Sequence, residues 1–244
     1  MTMNSNRNQI GSKIRDNSDR AKTVVGVFVC MIIVNVLAGT NCLMLYSEYH
    51  GNIAGRLAEI QSSTQLALLM LFAGLTLILF VVAIITFLNW FRRAYYNLHQ
   101  FSKQKLSYDE DMAVWSFMIP FINLIRPHTI AQEIYDVNYD AAKKISADVP
   151  SKNNDIISIW WIAYIFLGII VYILTSIGGE DSIDEIIDSM LYLGIAEFIE
   201  IPRLIAAILM VKTVSAIEAI VYRNRMRLNE PEDKIAPLLS EEEE

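Results

Sequence analysis

Trp90-Phe-Arg-Arg-Ala-Tyr-Tyr-Asn-Leu-His-Gln-Phe-Ser-Lys-Gln-Lys-Leu-Ser-Tyr-Asp-Glu-Asp-Met-Ala-Val-Trp-Ser-Phe-Met-Ile-Pro-Phe-Ile-Asn-Leu-Ile-Arg-Pro-His-Thr-Ile-Ala-Gln-Glu-Ile-Tyr-Asp136 stands between two pairs of long apolar segments. Its middle, Met112–Ile125, has 14 residues without a charge, too few to cross a bilayer. Pro120 and Pro127 cannot donate to the carbonyls of Ser116 and Asn123, so a straight helix is interrupted. In each case the residue four back is polar and can help satisfy the freed backbone. The expected structure is a broken, re-entrant or interfacial helix over 113–127. Its Trp115, Phe117, Phe121 and Leu124 are expected to pack on the membrane spans rather than lipid.

The apolar segments on either side fix the class. Spans are expected at about 23–46, 66–91, 156–178 and 190–212, each long enough for the ~30 Å hydrocarbon core. Gly26 and Gly39 offer close helix approach in the first. Trp90 is expected at the membrane interface, with Arg92 and Arg93 among the headgroups and Trp160-Trp161 opening the third span. Residues 128–145 repeat apolar side chains at Ile130, Ile134, Val137, Ala141 and Ile145, with acids and lysines opposite, the period of an amphipathic helix. A mixed polar face favours packing along the inner end of the bundle over lipid binding. Residues 1–22 read as a polar cytoplasmic tail and 229–244, ending in four glutamates, as a disordered acidic tail. The fold class is therefore an all-α membrane protein. It has four transmembrane helices, a central broken helix and a cytoplasmic amphipathic helix, with 23–228 as a single membrane domain.

In this stretch Trp90, Arg92-Arg93-Ala94-Tyr95 and Asn97-Leu98 are followed by Trp115, Pro120-Phe121-Ile122-Asn123-Leu124, Pro127 and Glu133. The series resembles a bacterial family of multi-pass membrane proteins known as a domain of unknown function. Members often carry more tryptophan, including one where Tyr135 stands here, so the chain reads as a divergent member. The resemblance implies an integral membrane protein and carries no activity with it.

Composition and charge agree. Of 244 residues 54% are hydrophobic and 19% charged, well towards the membrane class. Eighteen of the twenty Lys and Arg fall in 1–22, 92–155 and 212–244, so the positive-inside bias puts both termini on the cytoplasmic side of an inner membrane. A fifth crossing at 113–127 would place Arg223, Arg225 and Arg227 outside. Cys30 and Cys42 are about 18 Å apart on one helix, too far to bridge. The histidines at 50, 99 and 128 have no metal-ligand spacing. No phosphate-binding glycine loop, nucleophile elbow or zinc-protease motif is present.

The nearest thing to a site is Glu197, Glu200 and Arg203, at i, i+3 and i+6 on the fourth span. Charges at that depth are costly and need partners. As function they would line a path for a proton, cation or small solute. As structure they form a buried ion-pair network that takes up Asn35, Asn41 or Asn123, and near-balance of charge favours this reading. The expectation is a non-enzymatic protein with no cofactor or metal, acting through its fold and partners. Those partners are the lipid bilayer and a homo-oligomer or another membrane protein, not nucleic acid. The alternatives are a small transporter or channel using the fourth span, then a lipid-modifying enzyme.

Overall fold

The computed structural model describes residues 13–50, 64–102, 104–177 and 182–229, and among these every regular element is helical. The order is α1 (Ser18–Tyr49), α2 (Thr64–Phe101), α3 (Met112–Met118), a 3-10 turn (Ile122–Leu124), α4 (Arg126–Ile145), α5 (Asp155–Ile177), α6 (Ile183–Arg223) and a second 3-10 turn (Arg227–Asn229). Four of them, α1, α2, α5 and α6, are long and apolar enough to cross a membrane. The chain is a multi-pass helical membrane protein.

Three of these helices outrun the bilayer. At 32, 38 and 41 residues, α1, α2 and α6 extend to about 48, 57 and 62 Å against a core of about 30 Å. The first span thus starts within the stretch read as a tail. Asp16 Oδ1 accepts from the Ser18 amide at 2.9 Å and its hydroxyl at 2.6 Å, turning the chain into α1. Those bonds hold the Asp16 carboxyl below its usual range. Likewise α6 begins at Ile183, ahead of the span expected from about 190, with Asp184 and Glu185 in its first turn, where the helix dipole favours them. Residues 51–63, between the first two spans, and all but the first residue of the acidic tail expected over 229–244 lie outside the described residues.

Only 6% of the most apolar window of α2 is buried, against 56% for α6. Met70, Leu71, Leu77, Ile78, Val81 and Ile85 of α2 lie open at the protein surface, and hydrocarbon is the solvent in which that arrangement costs nothing. The more enclosed helix, α6, carries the intramembrane acids and the one arginine.

Contacts between residues divide the chain into two units. The first takes Met1–Val25, Ile85–Ile159 and Leu209–Glu244. Its core is built from Val24, Trp90, Phe91, Tyr95, Leu98, Ile130, Ile134, Ile145, Ile157, Met210 and Ile217. Trp90, expected at the interface, is buried, and so are Trp160 and Trp161. The Trp90 indole donates to Ser215 Oγ at 3.1 Å, which satisfies its polar edge within the protein instead of at a headgroup. Helix α4 has the expected amphipathic period and is packed. Its buried face is Ile130, Ile134, Tyr135, Asn138, Tyr139, Ala142 and Ile145, while Val137 and Ala141 only flank it. Tyr135 secures the following connection, its hydroxyl accepting from the Asn153 amide at 2.8 Å.

The break falls at Pro120. Ile119, which precedes it, is extended at φ −91°, ψ 120°, because the proline ring disfavours helical geometry there. Phe121 follows at φ 65°, the one positive-φ non-glycine among the described residues. Pro127 does not break the chain. It occupies the first turn of α4, where a missing N–H leaves no helix bond unmade. Trp115, Phe121 and Leu124 do not pack on the spans as expected but are exposed, and only Phe117 turns inward.

The second unit takes Gly26–Ile84 and Trp160–Ile208. There α1 and α6 meet through glycines. A Cβ on Gly39 would lie 2.9 Å from Phe198 and 3.2 Å from the Gly194 carbonyl; one on Gly194 would lie 3.0 Å from Leu43 and 3.2 Å from the Gly39 carbonyl. Small residues let two backbones approach in this way. Gly26 has open space around it and plays no such part. At one end of the crossing Leu45, Tyr49 and Ile187 cluster, and His50 meets Asp188 at 3.1 Å.

Candidate functional site

In the second unit, one turn of α6 brings the predicted charges together. Arg203 Nη1 lies 3.0 Å from Glu200 Oε1, with side chains 24% and 19% exposed. The guanidinium also lies over the Tyr164 ring, 5.3 Å from its centre. Gly168 makes room for it, since a Cβ there would stand 3.2 Å from Nη1. Glu197, one turn back, has a different partner. The amide orientation that satisfies Asn35 has its nitrogen donating to the Met31 carbonyl at 3.0 Å and to Glu197 Oε2 at 3.3 Å. Of the three expected polar partners, Asn35 joins these acids. Asn123 belongs to the first unit, where its amide closes the Pro120 turn on Ile119 O at 3.0 Å.

The first unit holds a second polar centre that the sequence did not single out. Glu218 is buried on α6, and each carboxyl oxygen has its own donor. Asn17 Nδ2 reaches Oε2 at 3.1 Å, and Asn97 Nδ2 reaches Oε1 at 2.8 Å. Asn17 Nδ2 also donates to the Trp90 carbonyl at 3.1 Å. Asn97 clamps Arg15 from both sides, accepting from its amide at 3.0 Å and donating to its carbonyl at 2.8 Å. A hollow of about 10 Å³ beside Glu218, bordered by Asp16, Asn17, Ser18 and Ser215, is no larger than a water molecule needs. The signal was present: an acid at 218 inside the apolar stripe Val214, Ile217, Val221. Its partners lie 201 and 121 residues away in sequence, so no local pattern could name them.

The motif residues do not converge on one place. Trp90 and Asn97 belong to the Glu218 network. Tyr95 and Glu133 form another. The Tyr95 hydroxyl donates to Glu133 Oε2 at 2.8 Å, and Glu133 Oε1 accepts the Ser107 amide and hydroxyl at 2.8 and 3.1 Å. This pins Ser107, between α2 and α3, onto α4, and Tyr108 beside it through the Tyr95 hydroxyl. Arg92 meets Glu110 at 3.4 Å and Asp111 at 3.1 Å, at the entry to α3, while Arg93 lies 5.9 Å from the Tyr96 ring centre. Trp115, Pro120, Asn123 and Pro127 make up the broken segment.

Residues 55–216 match the family described as Domain of unknown function (DUF4328). This chain belongs to that family. No curated protein and no solved structure matches the chain. The matched residues include the whole motif, Trp90 to Glu133, and Glu197, Glu200 and Arg203. Asn17 and Glu218 fall outside the match. The family description carries no activity. Among the described residues no group of three or more His, Cys, Asp or Glu is placed to hold a metal ion.

What these centres can do chemically follows from how their groups are used. Glu200 and Arg203 neutralise one another, Glu197 is held by an amide, and Glu218 is held by two. An acid or base for catalysis needs a free lone pair or proton aimed at open space. Here the named oxygens are directed at other side chains of the protein.

Proposed function

We propose that this chain is a non-enzymatic inner-membrane protein that acts through its fold and its partners, with both termini cytoplasmic. The observation that carries the reading is the pairing of its intramembrane charges: Glu200 with Arg203 at 3.0 Å, and Glu197 with Asn35 at 3.3 Å. The ion pair neutralises both charges within α6, while Asn35 of α1 and the Tyr164 ring of α5 hold Glu197 and Arg203 across helices, the use of intramembrane polar groups as contacts between helices. The lysine and arginine bias supports the orientation, and a homo-oligomer or a second membrane protein is the partner class.

A double-mutant cycle with Glu200→Gln and Arg203→Met, read as thermal stability in detergent, tests this. The pair reading expects the single losses not to add, with a coupling of about 0.5–3 kcal/mol. One observation favours a transporter as second reading: about a fifth to a quarter of each side chain of the pair remains exposed. Proteoliposomes decide between them. Proton or cation flux that disappears in Glu200→Gln, in a variant with unchanged stability, would establish transport and overturn the scaffold reading.

A further inference from the structure

The broken segment has one anchored side and one bare side. Phe117 packs edge-on against Phe87 and Phe91, with ring centres 5.7 and 5.4 Å away, and Ala113 and Ser116 are fully buried. On the other side Trp115 is 57% exposed, Phe121 83% and Ile125 67%, with Met118 and Leu124 also open. So many large apolar side chains in water would be a heavy liability for a soluble surface.

Its depth can be read from α2. Arg92 is tied to Glu110 and Asp111 where α3 begins, so that end sits at the level of the arginine pair, where α2 leaves the hydrocarbon. Phe117 reaches back to Phe87, five residues before Arg92, or about 7.5 Å along the helix. The return end is held at Arg126, which lies over the Tyr108 ring, 5.0 Å from its centre. A dip of this size matches the 5–10 Å to which interfacial elements enter the headgroup–acyl boundary.

The backbone suits such a place. Non-helical chain enters an apolar medium only with its polar groups satisfied. Here Ile119 O accepts from Asn123 at 3.0 Å, Pro120 O from Ile122 at 2.8 Å, Phe121 O from Leu124 at 3.3 Å and Ile122 O from Ile125 at 3.1 Å. The Pro120–Ile122 bond closes a γ-turn around Phe121, whose φ of 65° and ψ of −38° are of the rare, strained kind. That turn points the most exposed aromatic of the segment outward.

We infer that Trp115–Ile125 is an interfacial elbow whose ligand is the bilayer itself. It seats in the headgroup–acyl boundary of the leaflet on the Arg92 side and takes up the outer acyl carbons of phospholipid. Because Arg92 at its border is already paired with acids, zwitterionic lipid suffices and no anionic headgroup is needed.

The test is depth-dependent quenching of Trp115, taken as the emission difference between the full chain and its Trp115→Phe variant in phosphatidylcholine nanodiscs. Bromines near the glycerol end of the acyl chain should quench this signal roughly twofold more than bromines near the methyl end, as a shallow position requires. Stronger quenching by the deep bromines would overturn the proposal in favour of a re-entrant segment. Quenching by aqueous acrylamide alone would place the elbow in water, and protection from both lipid and water would mean that protein covers it; either result overturns the proposal. A nitroxide on Phe121→Cys, in a chain with Cys30→Ala and Cys42→Ala, gives a second reading that does not depend on tryptophan. It should be more accessible to oxygen than to a water-soluble nickel complex, and the reverse order would count against the elbow.

Discussion

Glu218 receives one amide proton on each carboxyl oxygen, so the two oxygens are chemically distinct acceptors with no spare role. Replacing it with Gln keeps the shape but turns one acceptor into a donor that faces an amide donor. Glu218→Gln should therefore lose about 1–3 kcal/mol, the cost of a buried polar group deprived of its partner, seen as a lower melting temperature in detergent. The sequence made Glu197, Glu200 and Arg203 legible because an i, i+3 spacing is local and a charge in an apolar run stands out. Glu218 was missed because Asn17 and Asn97, which make it a centre rather than a misplaced acid, come from distant parts of the chain. Trp90 was misjudged for a related reason. An indole beside two arginines reads as an interface anchor unless one knows that Ser215 is waiting for its N–H.

Among the elements, α4 was legible because its 3.6-residue period is written in eighteen consecutive residues, and the break at Pro120 because proline acts on its own neighbours. Which way the broken segment turns its aromatics was not legible, since it depends on Phe87 and Phe91 from another helix. Pro120→Ala permits the straight helix that this segment is too short to use across a bilayer. Folded yield and thermal stability should fall by about one to a few kcal/mol, and an unchanged melting temperature would make the bend incidental. A pH dependence belongs to α4 and its neighbour. His128 contacts Ser158 Oγ at 3.3 Å, and burial holds its pKa below the ordinary 6.5, so the folded chain favours the neutral ring. Stability from this source is complete above the unfolded value and declines as pH falls through 6.5 towards the lower folded value. His128→Gln should flatten that part of a melting-temperature profile taken from neutral to acid pH.

For the whole molecule, four crossings followed from span length and hydropathy alone, because the bilayer imposes a minimum length on each crossing. The early starts of α1 at Ser18 and α6 at Ile183 were not visible, as polar ends of a helix resemble loops until their packing partners are known. The charge bias makes a topology prediction. A cysteine at Ser182 should react with an impermeant maleimide added outside cells, and one at Lys105 only after the membrane is opened. External labelling at Lys105 would refute the orientation.

The meeting of Gly39 and Gly194 has a genetic consequence. Every missense change in a glycine codon adds a Cβ, so even an alanine at either position must push aside Phe198 or Leu43 and part the two backbones by a few tenths of an ångström. Second-site suppression offers little relief. Trimming Phe198 would remove the nearest obstacle to an alanine at 39, but the Gly194 carbonyl would still stand 3.2 Å away, and no codon change shortens a backbone. A saturation library should therefore be depleted at both positions, more steeply the larger the side chain, while Gly26 and Gly74, which have nothing within 4 Å, accept small residues freely.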